Sequence, residues 1–204
     1  MAVRVPGLAV RLLDWARARY IAARWPDFII GEEAEGGPYL LRWYVTPWRR
    51  WREQAEAQPT LWRRAKARVA RYLPNLYVHV FLRDDDDRAL HDHPSWAVSL
   101  ILDGAYIEHT IADGGIHRRR AWEAGSLRFL PTRHTHRVEL PTLPPSVATH
   151  PGGQRPPTRI PCVTLFLFGP TVREWGFHCP ERGWVHWQDF TKPGRPGEVG
   201  GGCD

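Results

Sequence analysis

The chain is poor in the residues that would assign it to a specialised class. Cysteine is scarce. Cys162, Cys179 and Cys203 are odd in number and show no CxxC spacing, which argues against a zinc ribbon or a disulfide framework and fits a reducing cytosol. No run of about 18 apolar residues occurs, so no membrane span is expected. The segment 1–13 holds an apolar stretch without a small-residue cleavage site, so no signal peptide is read there and the expected location is cytoplasmic. Lysine is nearly missing: Lys66 and Lys192 are the only two, and arginine carries the positive charge.

What is present is a chain of one-domain length, 204 residues with 43% hydrophobic content, enough for a real core. The net charge of +6 is uneven. Residues 1–72 hold 14 Lys/Arg against 7 Asp/Glu, and residues 73–204 hold 14 against 15. The basic excess therefore lies in the N-terminal third. That segment is amphipathic, so a solvated helix face explains it better than a nucleic-acid partner does. A nucleic-acid role would predict steep salt dependence of binding.

Residues 8–25 read as an amphipathic helix with Leu8, Leu12, Trp15, Ile21 and Trp25 inward, stopped by Pro26. Residues 39–45 read as a strand. Residues 48–72 read as helix divided at Pro59, with Trp51, Leu61, Trp62, Val69 and Tyr72 as a buried stripe. From Pro74 the pattern changes to short strands with turns between them, including Asp103-Gly104 and Asp113-Gly114-Gly115. This is the mark of an all-β sandwich or barrel. The expected layout is a helical N-terminal extension over 1–72, a barrel over 73–191 with a mobile loop at 141–161, and a disordered tail over 192–204. Asp84 to Asp87 read as a solvated acidic turn, since consecutive carboxylates cannot all face one ion.

Chemistry concentrates in His91-Asp92-His93. On a strand, residues i and i+2 point to the same face, so the two imidazoles lie side by side and Asp92 points away. His136 follows about one hairpin later. Three imidazoles on one side of a metal ion leave the other side open, as a catalytic metal requires. By the same parity Ala97 and Ser99 are expected beside the metal, small enough to leave room for a ligand. Tyr106 and Glu108 share a face of the next strand. If that face is inward, Glu108 can supply a fourth ligand or an acid/base group; otherwise it is an exposed edge residue. His134 shares its parity with His136 and can be a fourth ligand, an outer partner or a rim residue. Arg128 and Arg133 are candidate anchors for an acidic substrate. His79 reads as a core histidine with a hydrogen-bond partner, and His109 and His117 as exposed. A Cys–His nucleophile at Cys179, flanked by His178 and His186, is a minor option beside a packing role for that segment.

These residues resemble the cupin superfamily. Its first motif is a glycine, five residues, HxH, three or four residues, glutamate, six residues, glycine. Here His91-x-His93 is followed by three residues, Ala97, six residues and Gly104, with Asp85 at the leading glycine. In the second motif Gly125 is followed by five residues, Pro131-Thr132-Arg133, two residues and His136, with Arg133 for a glycine and Leu140 for the terminal asparagine. The resemblance covers about residues 74–170, and residues 75–190 are also similar to uncharacterised cupin-like proteins of bacteria and their phages. It implies a cupin β-barrel or jelly roll. With Ala97 in the glutamate position it implies a three-histidine metal site like that of thiol dioxygenase-type cupins, with Fe(II) as the expected metal and Zn, Ni, Mn or Cu as alternatives. The expected function is a metal-dependent dioxygenase acting with O2 on a small thiol- or carboxylate-bearing substrate, with a homodimer compatible. The alternatives are a metal-dependent isomerase or lyase, and a non-catalytic binding module or phage-associated accessory protein.

Overall fold

A computed structural model describes residues 2–34, 36–85, 89–143, 158–195 and 197–204. Asp86, Asp87 and Arg88 of the acidic turn, and most of the 141–161 loop with His150, lie outside the described residues. In chain order the elements are β1 (Ala2–Arg4), α1 (Pro6–Ala16), a π-helical turn (Arg17–Ile21), β2 (Phe28–Ile30), β3 (Leu40–Tyr44), α2 (Trp48–Ala57) and α3 (Leu61–Ala70). Then come β4 (Asn75–Phe81), β5 (Leu90–His91), β6 (Ala97–Asp103), β7 (Ala105–Ala112), β8 (Ile116–Glu123), β9 (Ser126–Leu130), β10 (Arg137–Glu139), β11 (Cys162–Phe168), β12 (Gly176–Cys179), β13 (Gly183–His186) and α4 (Trp187–Phe190). The strands form a seven-stranded sheet in the order β1-β9-β6-β11-β4-β3-β2 and two three-stranded sheets, β10-β7-β8 and β13-β12-β5. Every pairing between these strands is antiparallel. The chain is mainly β, built of antiparallel sheets, with helices in its N-terminal segment.

Period-2 alternation assigns both faces of the large sheet. Val78 and Val80 of β4, Leu100 and Leu102 of β6, and Val163 of β11 turn outward and pack under α1, against Ala9, Leu13 and Ala16. The intervening residues face the barrel interior, where Ile101, Cys162 and Phe81 meet Tyr106, Trp122, Val138 and Leu140. Both faces are covered, which explains why these strands read as nearly continuous apolar runs. Pro6 opens α1, where its missing N–H is no loss. The buried residues of this helix are Ala9, Leu13 and Ala16; of the expected set Leu12, Trp15 and Ile21 pack half-buried against the same cluster, while Leu8 and Trp25 are exposed. The periodicity was helical, but small residues take the closest approach to the sheet.

The 1–72 segment is more than helices. β1 pairs with β9, and β2 and β3 extend the main sheet beside β4. Thr60, just after Pro59, caps α3 by accepting from the Arg63 N–H at 3.2 Å. The stripe expected to be buried on this hairpin is largely outside: Leu61 is 89% exposed and Trp62 69%, and Val69 and Tyr72 are exposed as well.

The tail is built in rather than disordered. Thr191 bridges Val199, the Gly200 and Gly202 N–H groups donate to the Phe190 carbonyl, and Cys203 is disulfide-bonded to Cys179. Glycines at positive φ, Gly194, Gly197 and Gly202, make the turns that its composition suggested were loose coil. The disulfide also corrects the expectation of three unpaired cysteines and removes Cys179 as a nucleophile. Asp84 and Asp85 are not merely solvated: they accept from the backbone N–H groups of Leu140 and Val138, and Asp84 pairs with Arg159. His109 is buried, not exposed, with His117 and Glu139 on its two ring nitrogens. Among the described residues no helix is long and apolar enough to cross a membrane.

Candidate metal centre

Backbone pairing brings the two motifs together. His91 ends β5 and exchanges both backbone hydrogen bonds with His136, at 2.9 and 3.0 Å. His93, two residues on, has its N–H directed to the Thr132 carbonyl in the second motif. The three imidazoles form a nearly equilateral triangle, with ring centroids 5.2 Å (His91–His93), 5.0 Å (His91–His136) and 5.1 Å (His93–His136) apart. One ligand atom from each lies within 4.8 Å of the others. The Nε2 atoms of His93 and His136 are 2.9 Å apart. Two metal–nitrogen bonds of about 2.1 Å at a right angle would set such atoms about 3 Å apart, so the donor set fits an ion of this kind.

Burial pushes the His91 imidazolium down to about pKa 4, against the opposing pull of Asp85, and His136 adds to the fall. His93 is lowered well below the usual range by burial and then by the neighbouring His136 and His91. Both rings are therefore neutral near pH 7, with a lone pair to offer. The donors are three imidazoles, a set that suits Fe, Zn, Ni and Cu.

Glu108 faces inward and is 3% exposed. One of its oxygens accepts from His136 Nδ1 at 2.9 Å and from His134 Nε2 at 2.8 Å. Arg128 reaches both oxygens at 2.6 Å, and Trp122 Nε1 donates at 3.0 Å. Burial alone would raise this carboxyl, but the hydrogen bonds from His134 and His136 and the charge of Arg128 hold it well below the ordinary range. A carboxylate on Nδ1–H leaves Nε2 of His136 as the free donor and fixes the ring orientation. Glu108, His134 and His136 also lie close enough to hold an ion. An ion there would use the other nitrogen of His136 and face the Arg128 guanidinium on both carboxylate oxygens. Electrostatics therefore favours the three-histidine set.

Asp92 turns away from the triangle and accepts from the Gly176 N–H at 3.0 Å, beside Arg173 at 2.9 Å and His178 and Trp184 at 3.2 Å. It ties the ligand loop to β12 and β13. Replacing Asp92 by Ala is expected to lower stability by roughly 1–3 kcal/mol, because these donors lose a buried acceptor. Chemical denaturation checks this, and no shift in midpoint would remove the anchoring role.

After Pro94 the chain re-enters the sheet at Ala97, and Ala97 and Ser99 pair with Phe168 and Phe166 on the same inward face. Ala97 and Ser99 are buried in β6 and lie outside the cavity lining beside the histidines. Arg128 is buried, hydrogen-bonded to Glu108 and to the Tyr106 hydroxyl at 2.7 Å, and stacked on Trp122 with its Cζ 4.1 Å from the ring centroid. Its charge is matched inside the barrel, and it does not face the cavity. Tyr106, pushed up to about pKa 12 mainly by burial, lies in the same layer behind His136. Arg133 is exposed.

The cavity that the three histidines do border measures about 1340 Å³. Its floor is Tyr77, His79 and Phe81 of β4 with Phe166 and Phe168 of β11, and α2 and α3 form the opposite side. Sequence reasoning missed this wall, and with it Arg42 of β3 and Asp85. Asp85 is buried with Oδ2 3.8 Å from His91 Nδ1, an electrostatic neighbour of the site. Arg42 had one signal: it is the only charge within the apolar strand 39–45.

No protein-family model matches the chain, and no curated protein matches it. Among solved structures, a variant of Bacillus subtilis oxalate decarboxylase is 15% identical with a TM-score of 0.39, over 72% of this chain and 29% of that chain. A study of the Mn(II) centres of the same enzyme gives a structure 14% identical with a TM-score of 0.40, over 76% and 30% of the respective chains. The chain thus spans under a third of the length of those proteins.

Proposed function

We propose that this protein is a metal-dependent cupin enzyme, an Fe(II) oxygenase of the three-histidine kind acting on a carboxylate- or thiol-bearing molecule. The observation that carries this reading is the triangle of three imidazoles bordering a large cavity. His91, His93 and His136 would hold the ion, which when bound supplies Lewis acidity and one-electron chemistry toward O2. The chain's own contributions are positional. Glu108 holds His136 by Nδ1 and keeps Nε2 free. Asp92 ties the His91–His93 loop to its neighbours. The aromatic floor limits water beside the donors. Glu108 and Tyr106, the expected acid/base and substrate contacts, sit behind His136, so their part is to orient ligands rather than to touch substrate.

The test is anaerobic reconstitution with Fe(II), metal analysis, then O2 uptake over a panel of thiols and carboxylates. The expected result is about one iron per chain and O2 consumption that depends on one member of the panel. Metal binding without O2 consumption would instead favour an isomerase or lyase, and no metal at all would sink the reading.

One observation favours a second reading, a binding module or accessory protein. The α2–α3 hairpin presents Leu61, Trp62, Val69 and Tyr72 to solvent. Apolar side chains grouped on a basic hairpin suit a docking surface. A binding module would take up metal and ligand with no turnover.

A further inference from the structure

Arg42 is a cation built into the cavity wall without an anion. It lines the cavity from β3, and among the described residues no carboxylate pairs with it. Its Nε–H donates to His79 Nε2 at 2.8 Å. Its guanidinium lies over the Tyr77 ring at 5.0 Å and beside Phe28 at 6.0 Å. Burial depresses even its own pKa, yet a guanidinium stays charged. Arg42 is half-buried, and a charge withdrawn from water without a counter-ion is unfavourable unless something else pairs with it. Because Nε–H is taken by His79, the two terminal Nη groups remain, and that pair can grip a carboxylate end-on with two parallel hydrogen bonds.

The surroundings say what the rest of the ligand is. From Arg42 the floor runs through His79, stacked on Phe166 at 5.1 Å, to Phe168, stacked on Phe166 at 5.8 Å. Phe168 touches the His93 ring at 6.2 Å. Phe166 and Phe168 are two residues apart on one strand, about 7 Å. An apolar body on this floor would have its anionic end at Arg42 and its other end at the histidines. The cavity exceeds the roughly 300–1,000 Å³ of ordinary small-ligand sites, so the occupant is larger than a two- or three-carbon acid. Arg49, the next cation along the wall, is paired with Glu53 at 3.1 Å. Arg52, Arg64, Arg68 and Arg71 line the cavity from the side of α2 and α3; Arg42 is the arginine beside the aromatic floor, and one guanidinium there matches one negative charge better than a doubly charged phosphate.

We propose that Arg42 is the anion-binding residue of this cavity, taking the carboxylate of a substrate whose aromatic or aliphatic body lies on the Tyr77–His79–Phe166–Phe168 floor. The anion site stands on Arg42 alone; only the placement of the far end at the histidines rests on the metal-enzyme reading above. The experiment is calorimetric titration of the full chain with 4-phenylbutyrate, 4-phenylbutyramide and phenyl phosphate. The expected result is at least a tenfold preference for the carboxylate over the amide, with phenyl phosphate no tighter. Arg42→Met is expected to erase that preference. Arg42→Lys keeps the charge but loses the two-point grip, and should retain only part of it; this variant decides if the methionine one fails to fold. The His91→Ala/His93→Ala double variant should keep the preference, so a failed metal reading leaves this result standing. Equal binding of acid and amide, a tighter phosphate, or a preference that survives in Arg42→Met and Arg42→Lys would each overturn the proposal.

Discussion

Alanine at His93 is expected to lower metal affinity at least about 100-fold, more than the 10–100-fold that an outer hydrogen-bond partner contributes. The His91→Ala/His93→Ala double variant should hold no metal above background. The reason is geometric. His93 and His136 set the 2.9 Å nitrogen–nitrogen edge of the site, and His91 closes the triangle from the strand end. With one ring removed, two imidazoles cannot hold an ion on one face while the opposite side stays open. Affinity is measured anaerobically by competition with a chromophoric chelator. Thermal unfolding gives a second readout. Metal at about 100 times its dissociation constant stabilises the wild-type fold by about 2.7 kcal/mol, and the double variant should show no such rise. Full metal occupancy in the double variant would place the site elsewhere.

The features legible in the sequence were those that local chemistry determines. His91 and His93 share a side because alternation holds across a single intervening residue, and His136 meets them because its motif begins a strand opposite β5. Asp103-Gly104 turns where expected, and Gly104 has the positive φ of 71° that its position demands. Thr60 caps α3 directly after Pro59. What stayed hidden depends on what covers a surface or pairs across space. The period of α3 shows which residues share a face, but nothing in it tells whether another element lies over that face, and Leu61 and Trp62 are outside. Alternation carries from His93 to Ala97 and Ser99, which share the inward face of Phe168 and Phe166, but it cannot tell that both are covered and lie outside the cavity lining. Glycine and proline in 192–204 mark turns as readily as disorder, and the Cys179–Cys203 bond decides for turns. Arg42 is one of 26 arginines; what distinguishes it is its place against Tyr77 and His79 on the cavity floor, which only the fold can show. Glu108 needed register. Its partners come from β9, from the turn before β10 and from β8, three separate places in the sequence.

Replacing Glu108 has two separable consequences. Glu108→Ala is expected to destabilise the fold by about 3–5 kcal/mol, the usual result of leaving one half of a buried ion pair uncompensated. Arg128 would be that half, itself 4% exposed, with no second carboxylate among its hydrogen-bond partners in the described residues. Against a typical total of 5–15 kcal/mol, this variant will be hard to handle. Glu108→Gln is the gentler test. It keeps the shape but removes the charge, and its amide can turn only one oxygen toward four donors. A loss of roughly 1–3 kcal/mol follows from the acceptors no longer supplied. Metal affinity should fall about 10–100-fold in the same variant, because His136 loses the group that fixes its Nδ1–H and its ring angle. The pair Glu108→Leu/Arg128→Met separates the two effects. Removing both charges together recovers most of the stability, since a buried ion pair adds little over well-packed apolar side chains. It does not restore the hydrogen bond to His136, so metal affinity stays low. Denaturant unfolding of the metal-free protein reads the first effect, and chelator competition the second. If the double variant regained both, Glu108 would be a packing element of the barrel rather than the group that orients His136. Wild-type affinity in Glu108→Gln would have the same meaning.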